Sequence, residues 1–60
     1  MNLTEQVKLT YRIVKKYYPK ATHIDAENER KALSKRDPAY IMDDRQGRLY
    51  NELAHNDLIT

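Results

Sequence analysis

The first third of the chain has a hydrophobic pattern that fits a helix better than a strand. Alternate positions from Val7 to Ile13 are apolar, as in a half-buried strand. A helix accounts for more residues, because at about 100° per residue the apolar positions fall on two neighbouring ridges. The first ridge comprises Leu3, Val7, Tyr11, Val14 and Tyr18, and the second comprises Leu9, Ile13 and Tyr17. We therefore predict a long amphipathic helix over residues 2–18.

Both ends of this segment carry helix-boundary signals. Asn2 can cap the amino terminus, and Glu5, three residues later, can reach back as in a capping box. Pro19 is expected to end the helix, because the residue before a proline is pushed out of the α region.

A second, shorter helix is predicted over residues 25–36. Asp25 is a natural N-cap residue, and acidic residues precede basic ones in the order that complements the helix dipole. The apolar face is thin, essentially Ala26 and Leu33 with the aliphatic stem of Arg30. We expect this helix to cover a core that other elements build. Residues 21–24 between the two helices could pair as a short strand.

Residues 39–56 fit two structures. Asp44 and Gly47 stand at the first and fourth positions of a type I turn signature, with apolar residues on either side, which favours a β-hairpin. The alternative is a third helix from about residue 45 to 55 that uses Leu49, Leu53 and Ala54, with Gly47 in its first turn. Near the C-terminus, Leu58 and Ile59 either dock on the core or fray. The predicted fold class is α+β: one small domain over residues 1–60 with two helices and a C-terminal β-hairpin. The alternative fold is a three-helix bundle.

Composition narrows the class of protein. The chain has 60 residues, no cysteine, 33% charged and 40% hydrophobic residues, and a net charge of +2. A domain of this size is marginally stable and depends on good helix packing or on oligomerisation when disulfides are absent. No basic and apolar leader and no membrane-spanning run is evident, so the sequence favours a cytoplasmic protein without a membrane partner.

The sequence lacks the nucleophile and phosphate-binding motifs that common enzymes use. Ser34 is the single serine and Gly47 the single glycine, so neither a nucleophile elbow nor a phosphate-binding glycine loop is present. We predict a protein that is not an enzyme, with no cofactor and no small-molecule substrate.

Two His-x-Asp pairs are weak candidates for a metal site. On strands, His23 with Asp25 and His55 with Asp57 would each share a face and together offer four ligands that zinc accepts. Because Asp25 is also needed as a helix cap, the sequence favours the absence of a metal.

The leading functional prediction concerns the second ridge of the first helix. The two ridges together cover roughly 200° of the helix, whereas a surface helix needs only somewhat more than 100°. We therefore expect Leu9, Ile13 and Tyr17 to remain exposed and to bind a protein partner, most simply a second copy of the chain. Lys8, Arg12 and Lys16 would form the polar rim of that contact.

The alternative prediction is a nucleic-acid-binding regulator. Lys15 joins Lys8, Arg12 and Lys16 in the arc that the apolar ridges leave free. A helical stripe of lysine and arginine is the electrostatic footprint of such proteins, although a net charge of +2 is low for a specific binder.

Overall fold

The computed structural model describes residues 2–35, 41 and 43–59. Within these residues the chain forms α1 (Leu3–Tyr17), α2 (His23–Lys35) and α3 (Asp44–His55), with no strand. The α+β prediction with a C-terminal hairpin is therefore wrong, and the three-helix bundle given as its alternative fits the structure.

Helix α1 confirms the predicted boundaries. The Asn2 side chain accepts a hydrogen bond from the backbone N–H of Glu5 at 2.8 Å, which satisfies one of the free donors of the first turn. The helix ends at Tyr17, and the N–H of Tyr18 donates to the carbonyl of Val14 at 2.8 Å just before Pro19.

Helix α2 begins earlier than the sequence predicts because Thr22 takes the capping position. The Thr22 hydroxyl accepts from the N–H of Asp25 at 3.1 Å, and the Asp25 carboxylate accepts from the N–H of Thr22 at 3.0 Å. This reciprocal pair is a capping box with aspartate as its acidic member. The predicted strand at 21–24 is therefore wrong, and Ile24 lies 73% exposed in the first turn. The predicted final residue, Arg36, lies outside the described residues.

The buried face of α2 is the thin one predicted. Ala26 and Leu33 are fully buried, and Arg30 is half-buried with its guanidinium on Glu27 at 3.0 Å. This helix covers the core and contributes few residues to it.

Helix α3 occupies the segment predicted as a hairpin. The Asp43 side chain accepts from the N–H of Arg45 at 2.9 Å, and the N–H of Gly47 donates to the carbonyl of Asp43 at 2.8 Å. The central residues of a type I turn have near-helical dihedral angles, so the turn signature equally marks a first helical turn. Leu49 and Leu53 then follow at helical spacing and are fully buried. Tyr40 and Met42, two of the apolar residues that precede the predicted turn, lie outside the described residues.

The residues after α3 fold back onto the core. The N–H of Leu58 donates to the carbonyl of Leu53 at 2.9 Å, and the N–H of Asp57 donates to that of Ala54 at 3.1 Å. With Asp57 at φ 58°, this is the hydrogen-bond pattern of a Schellman motif. Leu58 and Ile59 are buried, so of the two outcomes that the sequence left open for the apolar tail, the structure has docking.

Helix α1 packs against both α2 and α3, and this arrangement determines which of its residues are buried. Tyr11 of the first ridge stacks on His23 of α2, and Tyr17 of the second ridge bonds to Glu52 of α3. Thr10 lies between the ridges and is fully buried. The buried apolar residues of the core are Ile13, Val14, Ala26, Leu33, Leu49, Leu53, Leu58 and Ile59.

The Thr10 hydroxyl is buried and has no hydrogen-bond partner among the described residues. We therefore expect its removal to stabilise the fold. Thr10→Val keeps the shape and the β-branching and removes the unpaired oxygen. Because an unsatisfied buried hydroxyl costs about 1–3 kcal/mol, we expect a rise of that order in the free energy of unfolding. Urea titration followed by circular dichroism measures it. Thr10→Ser, which keeps the hydroxyl and loses the methyl, should be less stable than the wild type; equal stability of the Val variant and the wild type would contradict the assignment.

A substitution at Gly47 tests whether this segment forms α3 and not the predicted hairpin. Its φ is not positive, and a Cβ built there would lie 3.8 Å from Cγ2 of Ile41, an ordinary van der Waals distance. Gly47→Ala should therefore raise the free energy of unfolding by about 0.5–1 kcal/mol, because alanine loses less entropy in a helix. The measurement is a thermal melt, in which a 60-residue domain gains about 4–8 °C per kcal/mol. A lower melting temperature would indicate that residue 47 is not helical.

Candidate functional site

The apolar surface predicted for partner binding is not exposed. Ile13 is 3% exposed and belongs to the core, while Leu9 and Tyr17 are half-buried and pack against it. The expectation of an exposed second ridge is wrong because α1 lies between two helices. Contacts with α2 on one side and α3 on the other bury the middle of its apolar arc at Ile13 and Val14, whereas Leu3 at the amino end is 75% exposed.

Lys16, predicted to belong to a polar rim, is held by α3. Its ammonium donates to Oε2 of Glu52 as an ion pair, and the Tyr17 hydroxyl donates to Oε1 of the same carboxylate at 2.6 Å. The hydrogen bond from Lys16, followed by that from Tyr17, lowers the pKa of Glu52, and the bond to Glu52 raises the pKa of Lys16. These three side chains join α1 to α3 and leave Lys16 engaged.

The other two predicted rim residues, Lys8 and Arg12, lie on an exposed face together with Lys15. At 3.6 residues per turn these three residues fall within about 60° of the helix and about 10 Å along its axis. None of them forms an ion pair with any other residue that the structure describes. Glu5 lines an adjoining cleft with Lys8 and Arg12 and is the nearby negative charge on α1.

A stacked pair of rings borders this basic face. The rings of Tyr11 and His23 are 3.7 Å apart between centroids and 20° from parallel. Nζ of Lys15 lies 5.2 Å from the centre of the Tyr11 ring, within cation–π range. Tyr11 is half-buried on the first ridge, and the capping box at Thr22 fixes the start of α2, where His23 is the first residue.

These side chains line one open cleft of about 410 Å³ between α1 and the start of α2. We call it the basic cleft, and its lining residues are Lys8, Tyr11, Arg12, Lys15 and His23. Its volume falls within the roughly 300–1,000 Å³ of ligand-binding clefts. The basic cleft offers uncompensated positive charge and an exposed imidazole with a flat face, which suits anionic ligands that also carry planar rings.

Carboxylates elsewhere in the fold have partners of their own, which explains why a chain with a net charge of only +2 has a local excess of positive charge. Asp25 and Asp43 cap helices, and Glu27 and Glu52 form ion pairs. Glu29 accepts a hydrogen bond from the Gln46 amide at 3.1 Å. No carboxylate lines the basic cleft among the described residues.

The weak metal candidates are not brought together. His23 and Asp25 stand in the first turn of α2, where residues two apart point in different directions, so the strand geometry on which the site depended is absent. Asp25 is engaged with Thr22, and His55 and Asp57 lie at the opposite end of the sequence, around the carboxyl end of α3. Across residues 2–35, 41 and 43–59 no group of three or more histidine or acidic residues could hold a metal ion. None of the helices in the same residues is long and apolar enough to cross a membrane.

Sequence reasoning missed the ring pair. Two other tyrosines at the carboxyl end of α1 are engaged elsewhere: Tyr17 bonds to Glu52, and Tyr18 lies beneath the Arg45 guanidinium at 5.5 Å. The one available signal was Thr22, which with Asp25 fits a capping box and would have placed His23 on a helix. Comparison with family models, with curated proteins and with solved structures finds no match.

The bond between Lys16 and Glu52 makes stability depend on acid pH. Because the folded pKa of Glu52 is lowered below its ordinary value of 4.5, the contribution is present above pH 4.5 and lost as pH falls through the folded pKa. In chemical denaturation between pH 7 and pH 3, Glu52→Gln should lose less stability than the wild type. Tyr17→Phe removes one of the two hydrogen-bond donors to Glu52, so its loss of stability between pH 7 and pH 3 should lie between those of the wild type and Glu52→Gln. Parallel curves for wild type and Glu52→Gln would show that the carboxylate contributes nothing to this dependence.

Proposed function

We propose that this chain is a small non-enzymatic interaction protein that binds nucleic acid through the basic cleft. The observation that carries the proposal is a set of exposed cations, Lys8, Arg12 and Lys15, beside the Tyr11–His23 ring pair; they form no ion pair with another described residue. Cations supply most of the affinity of proteins for the phosphate backbone, and aromatic rings among them add base stacking.

The spacing of the cations suits a phosphate chain. Lys8 and Lys15 are separated by about 10 Å along α1. Duplex DNA carries one negative charge per about 1.7 Å of axis, so a stretch of that length presents about six phosphates. The phosphates over that length therefore outnumber the three cations of α1.

A second copy of the chain is a poor occupant of the basic cleft. A twofold dimer places the same surface of both subunits together, so Lys8, Arg12 and Lys15 would face their own copies. Juxtaposed like charges oppose such a contact. Self-association through Leu9, Ile13 and Tyr17 has lost the exposed ridge on which it depended, since Ile13 lies in the core.

Salt dependence tests the proposal. We expect a fluorescein-labelled 20-nucleotide strand to bind in a fluorescence anisotropy titration, with affinity falling about 20- to 40-fold between 50 and 200 mM salt if three phosphates are neutralised. Changing Lys8, Arg12 and Lys15 together to alanine should abolish binding at 50 mM salt, and each single change should reduce the salt slope by about one. These side chains are exposed, so the melting temperature should hardly move.

Two matched variants control for net charge. Arg48→Ala removes one positive charge from an exposed position on α3. Because Arg48 lines a cleft that shares no residue with the basic cleft, this change should reduce the affinity less than Arg12→Ala. Glu5→Gln removes the neighbouring negative charge and should strengthen binding. Equal losses for Arg48→Ala and Arg12→Ala would show that overall charge, and not the basic cleft, governs binding. If the protein binds no strand at low salt, the proposal is wrong. A dimeric mass in analytical ultracentrifugation would then favour self-association as its function.

A further inference from the structure

Resting on the proposed function, we infer that the basic cleft selects single-stranded over double-stranded nucleic acid, and that one base stacks on the exposed face of the His23 imidazole. The phosphates on either side of that base contact the cations of α1. His23 is then the residue that sets the strand preference.

The two rings of the pair have different surroundings. Tyr11 is half-buried, carries His23 on its ring at 3.7 Å and has the Lys15 ammonium 5.2 Å from its centre. His23 is exposed, and Tyr11 is its one ring partner among the described residues. An incoming base therefore adds to the stack at His23, as a third planar group.

The imidazole is held in place before any ligand arrives. The reciprocal hydrogen bonds between Thr22 and Asp25 fix the backbone at the start of α2. Stacking on Tyr11, which itself packs against the core, orients the ring. A side chain fixed in this way loses little conformational freedom when a base binds, and that favours affinity.

A ring face beside phosphate-binding cations is useful to a single strand and of little use to a duplex. In a duplex the bases stack on one another and present only their edges, whereas unstacked bases of a single strand are free to stack on aromatic side chains. His23 lines the same cleft as Lys8, Arg12 and Lys15, so one strand can contact both kinds of group.

The test compares strands that differ only in their bases. Anisotropy titrations use a 20-nucleotide thymidine strand, an abasic strand of equal length and a hairpin duplex, each at 50 mM salt. Stacking of one base is worth about 1–3 kcal/mol, so the wild type should bind the thymidine strand about 5- to 150-fold more tightly than the abasic strand. His23→Ala should lower the affinity for the thymidine strand much more than the affinity for the abasic strand, and His23→Phe should restore the difference between the two strands.

Each outcome separates the inference from the function on which it rests. Equal affinity of the wild type for the thymidine and abasic strands, or tighter binding of the duplex, would overturn the role of His23 while leaving phosphate binding intact. Equal losses of affinity for both strands in His23→Ala would also overturn it, since a stacking residue acts only where bases are present. No binding to any strand would instead remove the proposed function. Circular dichroism melts of both His23 variants establish that they fold.

Discussion

The structure depends on the position of α1 between α2 and α3. A helix that contacts two partners needs an apolar arc wide enough for both, and the two ridges of α1 supply it. Thr10 lies between the ridges and is fully buried, and its hydroxyl has no hydrogen-bond partner among the described residues. The remaining arc of α1 is open to solvent, and every exposed cation of the basic cleft on α1 stands there.

The same arrangement divides the polar side chains between structural and exposed positions. The carboxylates of Asp25 and Asp43 accept hydrogen bonds from backbone N–H groups at helix starts, Glu52 pairs with Lys16, and none of the three lines the basic cleft. Lys16, one residue beyond Lys15, points to Glu52 and belongs to the structural set. A rotation of about 100° between successive residues is thus enough to separate a cation that stabilises the fold from one that is available to a ligand.

Local signals were readable in the sequence, and long-range contacts were not. The Asn2 cap, the stop at Pro19 and the buried face formed by Ala26 and Leu33 depend on neighbouring residues and were predicted correctly. Type I turns and first helical turns share their dihedral angles, so Asp44 and Gly47 could not by themselves distinguish a hairpin from α3.

The candidate site was only partly predictable for the same reason. Lys8 and Arg12 were identified because helical periodicity alone places them in one arc. The assignments of Ile13 and Lys16 failed because they depend on what packs against α1 from distant parts of the chain. The stacking of Tyr11 on His23 likewise requires the crossing of two helices, which no local pattern encodes.

The contact between Tyr17 and Glu52 joins residues that are 35 positions apart, whereas α1 and α2 are joined by a short connection over residues 18–22. Closing a longer loop costs more chain entropy, so the first two helices can associate before the third. Helical proteins rich in local contacts fold within microseconds to milliseconds. The order of helices in this chain therefore leaves the face of α1 that packs on α3 to be covered last.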